Sequence, residues 1–244
     1  MLIRKIKPVA LLFSLAVFLV SCTGVEISPD ITNPIKTVAV LPLYNATYDI
    51  DAPVLLRDSV SSRLRKYRYT LLSQDEVDDG ISGLPPEALT DISQARALGE
   101  RLGVDGLLYG YILNYDVVME DSYKVRRVRV GFILVDVKLG RPIWSGGEGV
   151  KSEYEGKFAG IPQANYVQNP EGIAQFENVP AIGDIEGIRK WKSLTGNRAQ
   201  LFSGTIPTTG DSGVAASSWG FELASETVAL LNDVFKDLPM GPGN

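Results

Sequence analysis

Val104-Asp-Gly-Leu-Leu-Tyr-Gly-Tyr-Ile-Leu-Asn-Tyr-Asp-Val-Val-Met119 decides the fold. Its odd positions carry Leu107, Tyr109, Tyr111, Leu113, Tyr115, Val117 and Met119, while Gly110, Asn114 and Asp116 fall on even ones. A period of two held over so long a run is a β-strand with one strongly apolar face. The three tyrosines are accordingly read as packing on that face rather than as a carbohydrate platform. Glu120-Asp121-Ser122 then turns the chain into Tyr123 to Leu139, where apolar residues sit at even positions (Val128, Val130, Phe132) and afterwards at odd ones (Ile133, Val135, Val137, Leu139). The change of phase beside Gly131 predicts a bulge there or a stretch covered on both faces. Lys138-Leu-Gly140-Arg turns it again into Pro142-Ile-Trp-Ser-Gly146, the third strand of an antiparallel meander.

Upstream, Thr37-Val-Ala-Val-Leu-Pro42-Leu-Tyr-Asn45 holds four consecutive apolar residues, the pattern of a strand covered on both faces, and Pro42 ends its ladder. Asp51-Ala-Pro53 supplies a cap and a first-turn proline, and Leu56, Val60 and Leu64 recur four apart, which predicts a helix from Ala52 to Lys66. Tyr67 to Leu72 reads as a strand. Ser73-Gln-Asp-Glu76 is a capping box opening a short helix that stops at Gly80. A further helix spans Ile92 to Leu102, with Gly103 placed for a left-handed C-cap.

Periodicity is lost between Lys151 and Ala216, an irregular insertion in which only Ile182, Ile185, Ile188, Trp191 and Leu194, at spacing three, suggest a short helix. The last helix, within 217–239, carries Leu223, Thr227, Leu230, Leu231, Val234 and Leu238 on one stripe and completes the core opened at residue 35.

The chain has 244 residues, 45% hydrophobic and 22% charged, with 24 Lys and Arg against 29 Asp and Glu. That supports one good-sized core and a formal charge of −5, without the basicity of a nucleic-acid binder, so no nucleic-acid partner is expected. The absence of His and the presence of a single Cys remove His relays, Ser-His-Asp and Cys-His nucleophiles, zinc fingers and internal disulfides.

Residues 1–22 begin with Arg4, Lys5 and Lys7 and continue in an apolar run, Val9 to Val20, broken only by Ser14. At about 1.5 Å per residue that run reaches roughly 18 Å, too short to cross a hydrocarbon core of about 30 Å, so 1–21 is read as a cleaved signal peptide. Leu19-Val20-Ser21-Cys22 resembles the bacterial lipobox, which implies that Cys22 carries diacylglycerol and, after cleavage, an acyl chain on its new amino terminus. Thr23 stands where an Asp would signal inner-membrane retention, so the expected location is the periplasmic side of the outer membrane. The cleaved chain keeps 21 Lys and Arg against its 29 acids, a formal −8, which leaves anchoring to the lipid. Residues 22–34, with Pro29 and Pro34, read as a lipidated tether.

Candidate chemistry is sparse. Asp75, Glu76, Asp78 and Asp79, and again Asp116, Glu120 and Asp121, lack the ligand spacing of a calcium loop and read as solvated surface. Lys124, Arg126, Arg127 and Arg129 make a strand stripe suited to an anionic polymer or, more simply, to cross-strand acids at a solvated strand end. Gly146-Gly147-Glu148-Gly149 lacks a phosphate loop's spacing and reads as a strand end or bulge. Asn45-Ala46-Thr47 matches a glycosylation sequon by chance. Ile188-Arg-Lys-Trp191-Lys either pins the insertion to the sheet, the simpler reading, or lies on a lipid surface or grips a partner. No catalytic set, metal site or cofactor site emerges, and the chain is expected not to be an enzyme.

The ordered set Val38 to Asn45, Ala95 to Gly110 and Asp136 to Ser145 resembles a family of bacterial lipoproteins of unknown function. More distantly it is similar to the N-terminal domain of TolB, to the curli secretion lipoprotein CsgG and to lipoprotein activators of penicillin-binding proteins. The resemblance covers 35–150 plus the final helix, and leaves the insertion at 151–216 unexplained. It implies a mixed sheet with helices packed on it, so that with the meander the expectation is an α/β (α+β) domain. It also implies envelope protein partners and a non-catalytic role in secretion or transport, with self-association left open. An activator of cell-wall synthesis and a carboxylate-dependent hydrolase are the alternatives.

Overall fold

The computed structural model describes residues 29–120, 123–155, 185, 187–194 and 223–243. Along the chain come β1 (Thr37–Val40), β2 (Tyr44–Asn45), α1 (Ala52–Lys66), β3 (Thr70–Leu71) and α2 (Gln74–Ile81). Two single 3-10 turns, Pro86–Leu89 and Ile92–Gln94, lead into α3 (Ala95–Leu102). The long strands β4 (Gly106–Glu120), β5 (Tyr123–Asp136) and β6 (Arg141–Glu155) follow, then β7 (Trp191–Ser193) and α4 (Ala224–Val234), which tightens into a 3-10 turn at Phe235–Asp237.

The strands form one seven-stranded mixed sheet in the order β3-β1-β4-β5-β6-β7, with β2 pairing β4 beyond the end of β1. β1 runs parallel to β3 and β4, the meander β4-β5-β6 is antiparallel, and β7 adds to β6 in parallel. This is the expected α/β (α+β) class. One face buries Leu56, Val60 and Leu64 of α1 and Leu230, Leu231 and Val234 of α4, and the other buries Val77 and Ile81 of α2 and Leu98 and Leu102 of α3. Each such side chain contributes roughly 1.5–3 kcal/mol on burial.

Several local expectations hold to the residue. α1 has the predicted bounds, Ser73 and Glu76 close a reciprocal capping box on α2, and Gly103 ends α3 at φ +67°, a conformation costly for any side chain with a Cβ. Others are corrected. Asp51 makes no side-chain cap on α1; instead Asp49 Oδ1 accepts from the amides of Asp51 (2.9 Å) and Ala52 (2.8 Å). Of the two alternatives at Gly131, the stretch covered on both faces is the one found, and a register slip lies instead across the ladder in β4, between Ile112 and Asn114. Gly131 sits in unbroken strand because β5 is covered on both faces, by Val130 and Phe132 on the α1/α4 side and Ile133 and Val135 on the other.

That slip moves a tyrosine. Tyr109 and Tyr111 face α2 and α3, but the extra residue at Leu113 reverses the alternation, and Tyr115 and Val117 join the α1/α4 core. The three tyrosines are all buried, as read, but on two faces.

β6 does not stop at Gly146: it continues to Glu155, and its glycines are places of close approach. A Cβ on Gly147 would sit 2.7 Å from Ile185 and 2.9 Å from Ile188, and one on Gly149 2.7 Å from the Trp191 ring. The helix suggested for the insertion is absent at residues 187–194, which form a turn and then β7, because the free edge of β6 offers ladder partners at Gly149, Val150 and Lys151. Ile182, and residues 195–216 of the insertion, lie outside the described residues.

Candidate functional site

β1, β2 and β4 run in one direction, which gives the molecule two distinct ends. The first gathers the start of β1, the C-terminal end of α1 and residues 239–243. The Asp30 amide donates to Gly241 O (3.1 Å), and buried Asn33 donates from Nδ2 to Met240 O (2.9 Å) and Tyr69 Oη (3.0 Å). The Tyr69 hydroxyl donates to Pro239 O (2.7 Å); burial pushes its pKa up to about 12, against the lowering effect of the Asn33 bond. The stretch read as tether is thus docked from Asp30 onward, while Cys22, the lipobox and the signal peptide lie outside the described residues.

At the opposite end β4 passes its last parallel partner at Ile112 and runs eight residues further, about 26 Å at ~3.3 Å per residue. Beside the root of this projection lies the loop between β2 and α1. Asn45 Oδ1 accepts from Thr47 N (3.0 Å) and Oγ1 (2.8 Å), and Asn45 Nδ2 donates to Asp49 O (2.7 Å). The sequon residues Asn45 and Thr47 therefore form an Asx turn, a structural reason for both side chains. Behind the loop, buried Arg57 of α1 donates to Val40 O from Nε (3.1 Å) and Nη2 (2.9 Å) and pairs with Asp78 at 2.8 Å.

This braced loop holds apolar side chains out in solvent. Tyr48 is 79% exposed and Ile50 82%, and Val54 and Leu55 in the first turn of α1 are also exposed. Tyr44, in β2 just before the loop, is also exposed and is tilted against Tyr111 with centroids 6.4 Å apart. The patch escaped the sequence reading because no periodicity marks it. The only signal was the spacing Asn45-x-Thr47-x-Asp49, which builds a self-bonded loop.

The basic stripe on β5 divides between the two faces. Arg127 makes a bidentate pair with Asp116 (2.7 and 2.9 Å), the expected cross-strand acid. Arg126 and Arg129 are not solvated. Arg126 is buried beneath α4 with its Nε 3.1 Å from Glu226 Oε1, a carboxylate with no exposure. Arg129 is buried on the other face with its guanidinium carbon 3.9 Å from the Trp191 ring centroid, and burial, then neighbouring Arg127, lowers its pKa to about 10. Of the acidic clusters, Glu76 serves the capping box, Asp78 pairs with Arg57, and Asp75 and Asp79 are exposed. Among the described residues no group of three or more potential metal ligands converges, and no helix is long and apolar enough to cross a membrane.

No family model and no curated protein matches this chain. Solved structures similar to it include the lipoprotein GNA1162 from Neisseria meningitidis, at 19% identity over 61% of this chain and 96% of that one, TM-score 0.44. The PelC dodecamer from Paraburkholderia phytofirmans matches at 20% identity over 54% of this chain and 79% of its own, TM-score 0.35. The LpoB C-terminal domain from Escherichia coli matches at 17% over 56% and 92%, TM-score 0.33. With TM-scores under 0.5, the fold class rests on the strand order and register described above.

Proposed function

We propose that this chain is a lipid-anchored, periplasm-facing outer-membrane lipoprotein that acts without catalysis, as an accessory or assembly component of an envelope secretion or transport system. The observation that carries the reading is the loop bearing Tyr48 and Ile50, braced by its own hydrogen bonds yet displaying large apolar groups to water. Large apolar side chains gathered in the exposed state on one ordered loop and the helix turn that follows it are the mark of a protein contact. Its place supports the rest. From Cys22 to Asp30 the chain reaches at most about 28 Å, so a lipid on Cys22 would hold the Asp30 end near the bilayer and turn the loop and the long hairpin away from it.

The test is a crosslinked pulldown of the full chain from membranes, with Cys22→Ala as control, read by mass spectrometry. Capture of defined envelope proteins that depends on Cys22 is the expected result. A cell-wall synthase among them would assign the role of activator, and capture of nothing would overturn the reading.

A further inference from the structure

On the face of the hairpin opposite α4, side chains from neighbouring strands form two rows. Asp116, Arg127 and Lys151 are directly paired along one, and Asn114, Arg129, Gly149 and Trp191 along the next. Two of these three cations are matched: Arg127 by Asp116, and Lys151 by Glu153 at 2.6 Å. Arg129 is not. It is only 6% exposed, its Nε lacks a hydrogen-bond acceptor, and no described acid pairs with it. Asn114, its direct cross-strand neighbour, is also buried, and its side-chain amide makes no hydrogen bond to a described residue. A guanidinium taken out of water without a counter-charge is costly, and a cation–π contact with Trp191 offsets only part of that cost.

We propose that Arg129 and Asn114, with Trp191 as the stacking wall, form a recognition site for a single carboxylate group. Among the described residues this face lacks one negative charge, and a planar fork with an adjacent amide suits a carboxylate, whereas a doubly charged phosphate would exceed that deficit. Glycine at 149 lets the guanidinium and the indole meet across β6, since a Cβ there would strike the ring. The rim formed by Arg127, Lys151 and Glu153 is partly exposed. The site extends the docking reading by giving the partner's chemistry, an Asp or Glu side chain or a small free carboxylate.

The experiment is thermal unfolding of the full chain in non-ionic detergent at matched ionic strength. Four probes are compared: sodium propionate, inorganic phosphate, and a blocked tripeptide carrying either Glu or Gln. Propionate is expected to raise the Tm saturably relative to chloride, and the Glu tripeptide to do so at lower concentration than propionate if the natural ligand is a peptide side chain. Equal midpoints would indicate a small carboxylate. Arg129→Met should abolish the dependence while leaving the unliganded Tm equal or higher, an outcome that a purely structural arginine would not give. Should Arg129→Met fail to fold, Arg129→Lys keeps the charge but loses the fork and should raise the propionate midpoint roughly tenfold or more. No saturable carboxylate effect, an equal effect of the Gln tripeptide, an effect of phosphate alone, or an effect that survives in the arginine variants would overturn the proposal. None of these probes needs the docked protein, so failure here leaves the loop reading standing.

Discussion

Arg126 and Arg129 stand three residues apart on one strand, both buried, yet they meet opposite surroundings. Arg126 points toward α4 and finds the fully buried carboxylate of Glu226, whereas Arg129 points the other way and finds an aromatic ring and the side-chain amide of Asn114, which has no hydrogen-bond partner among the described residues. On the first face a helix closes over the hairpin and matches its charge; on the second, the described cover is the turn with Ile185 and Ile188 and the edge strand with Trp191, and no described acid matches Arg129. A buried ion pair is weak evidence for stability gained but strong evidence that losing one partner is costly. An unmatched buried cation is a cost retained in the folded state, and such costs gather where a protein binds something.

The sharpest way to break the comparison is Glu226→Ala, which takes the buried carboxylate away from beside Arg126 and should cost about 3–5 kcal/mol in urea denaturation, with the double change Arg126→Met/Glu226→Leu recovering most of it. Next in size is an alkaline loss that treats the faces alike. Burial pushes the hydroxyls of Tyr111 on one face and Tyr115 on the other up to about 12. The unfolded chain releases those protons near pH 10, so stability is complete below that value and is lost as pH rises through the folded value, on the order of 1–2 kcal/mol for each hydroxyl. A Tm against pH profile should decline between pH 10 and 12. Gly147→Ala should cost about 1–3 kcal/mol by forcing Ile185 and Ile188 off the sheet, seen as a shift in Trp191 emission. The smallest effect is the most telling: Arg129→Met should leave the unfolding free energy unchanged or raise it by less than about 1 kcal/mol, the mirror image of Glu226→Ala.

The sequence revealed these features unevenly. Continuous apolar runs and period-two alternation located β1 and the meander, and Leu56, Val60 and Leu64 with Pro53 located α1, because both signals are local. The slip at Leu113 was illegible, since Tyr115 and Val117 prolong the odd-position pattern across it and only cross-strand register exposes the reversal. Burial of Arg126 and Arg129 was equally hidden. In sequence they sit in a run of cations, and what buries them arrives from residues 226 and 191. The apolar loop could be recognised as a loop from Pro42 and Asn45, but not that Tyr48 and Ile50 point outward, because exposure depends on what packs nearby rather than on residue type.

The central claim is that the braced loop far from the Asp30 end is where this protein meets its partner, and a paired capture tests it most directly. Full chain and the Tyr48→Ser/Ile50→Ser variant are crosslinked in the same membranes and compared by mass spectrometry. Membrane amount and unfolding midpoint should be unchanged, because both side chains lie in solvent, while the crosslinked envelope protein disappears from the variant. Equal recovery of that protein by both chains would contradict the account.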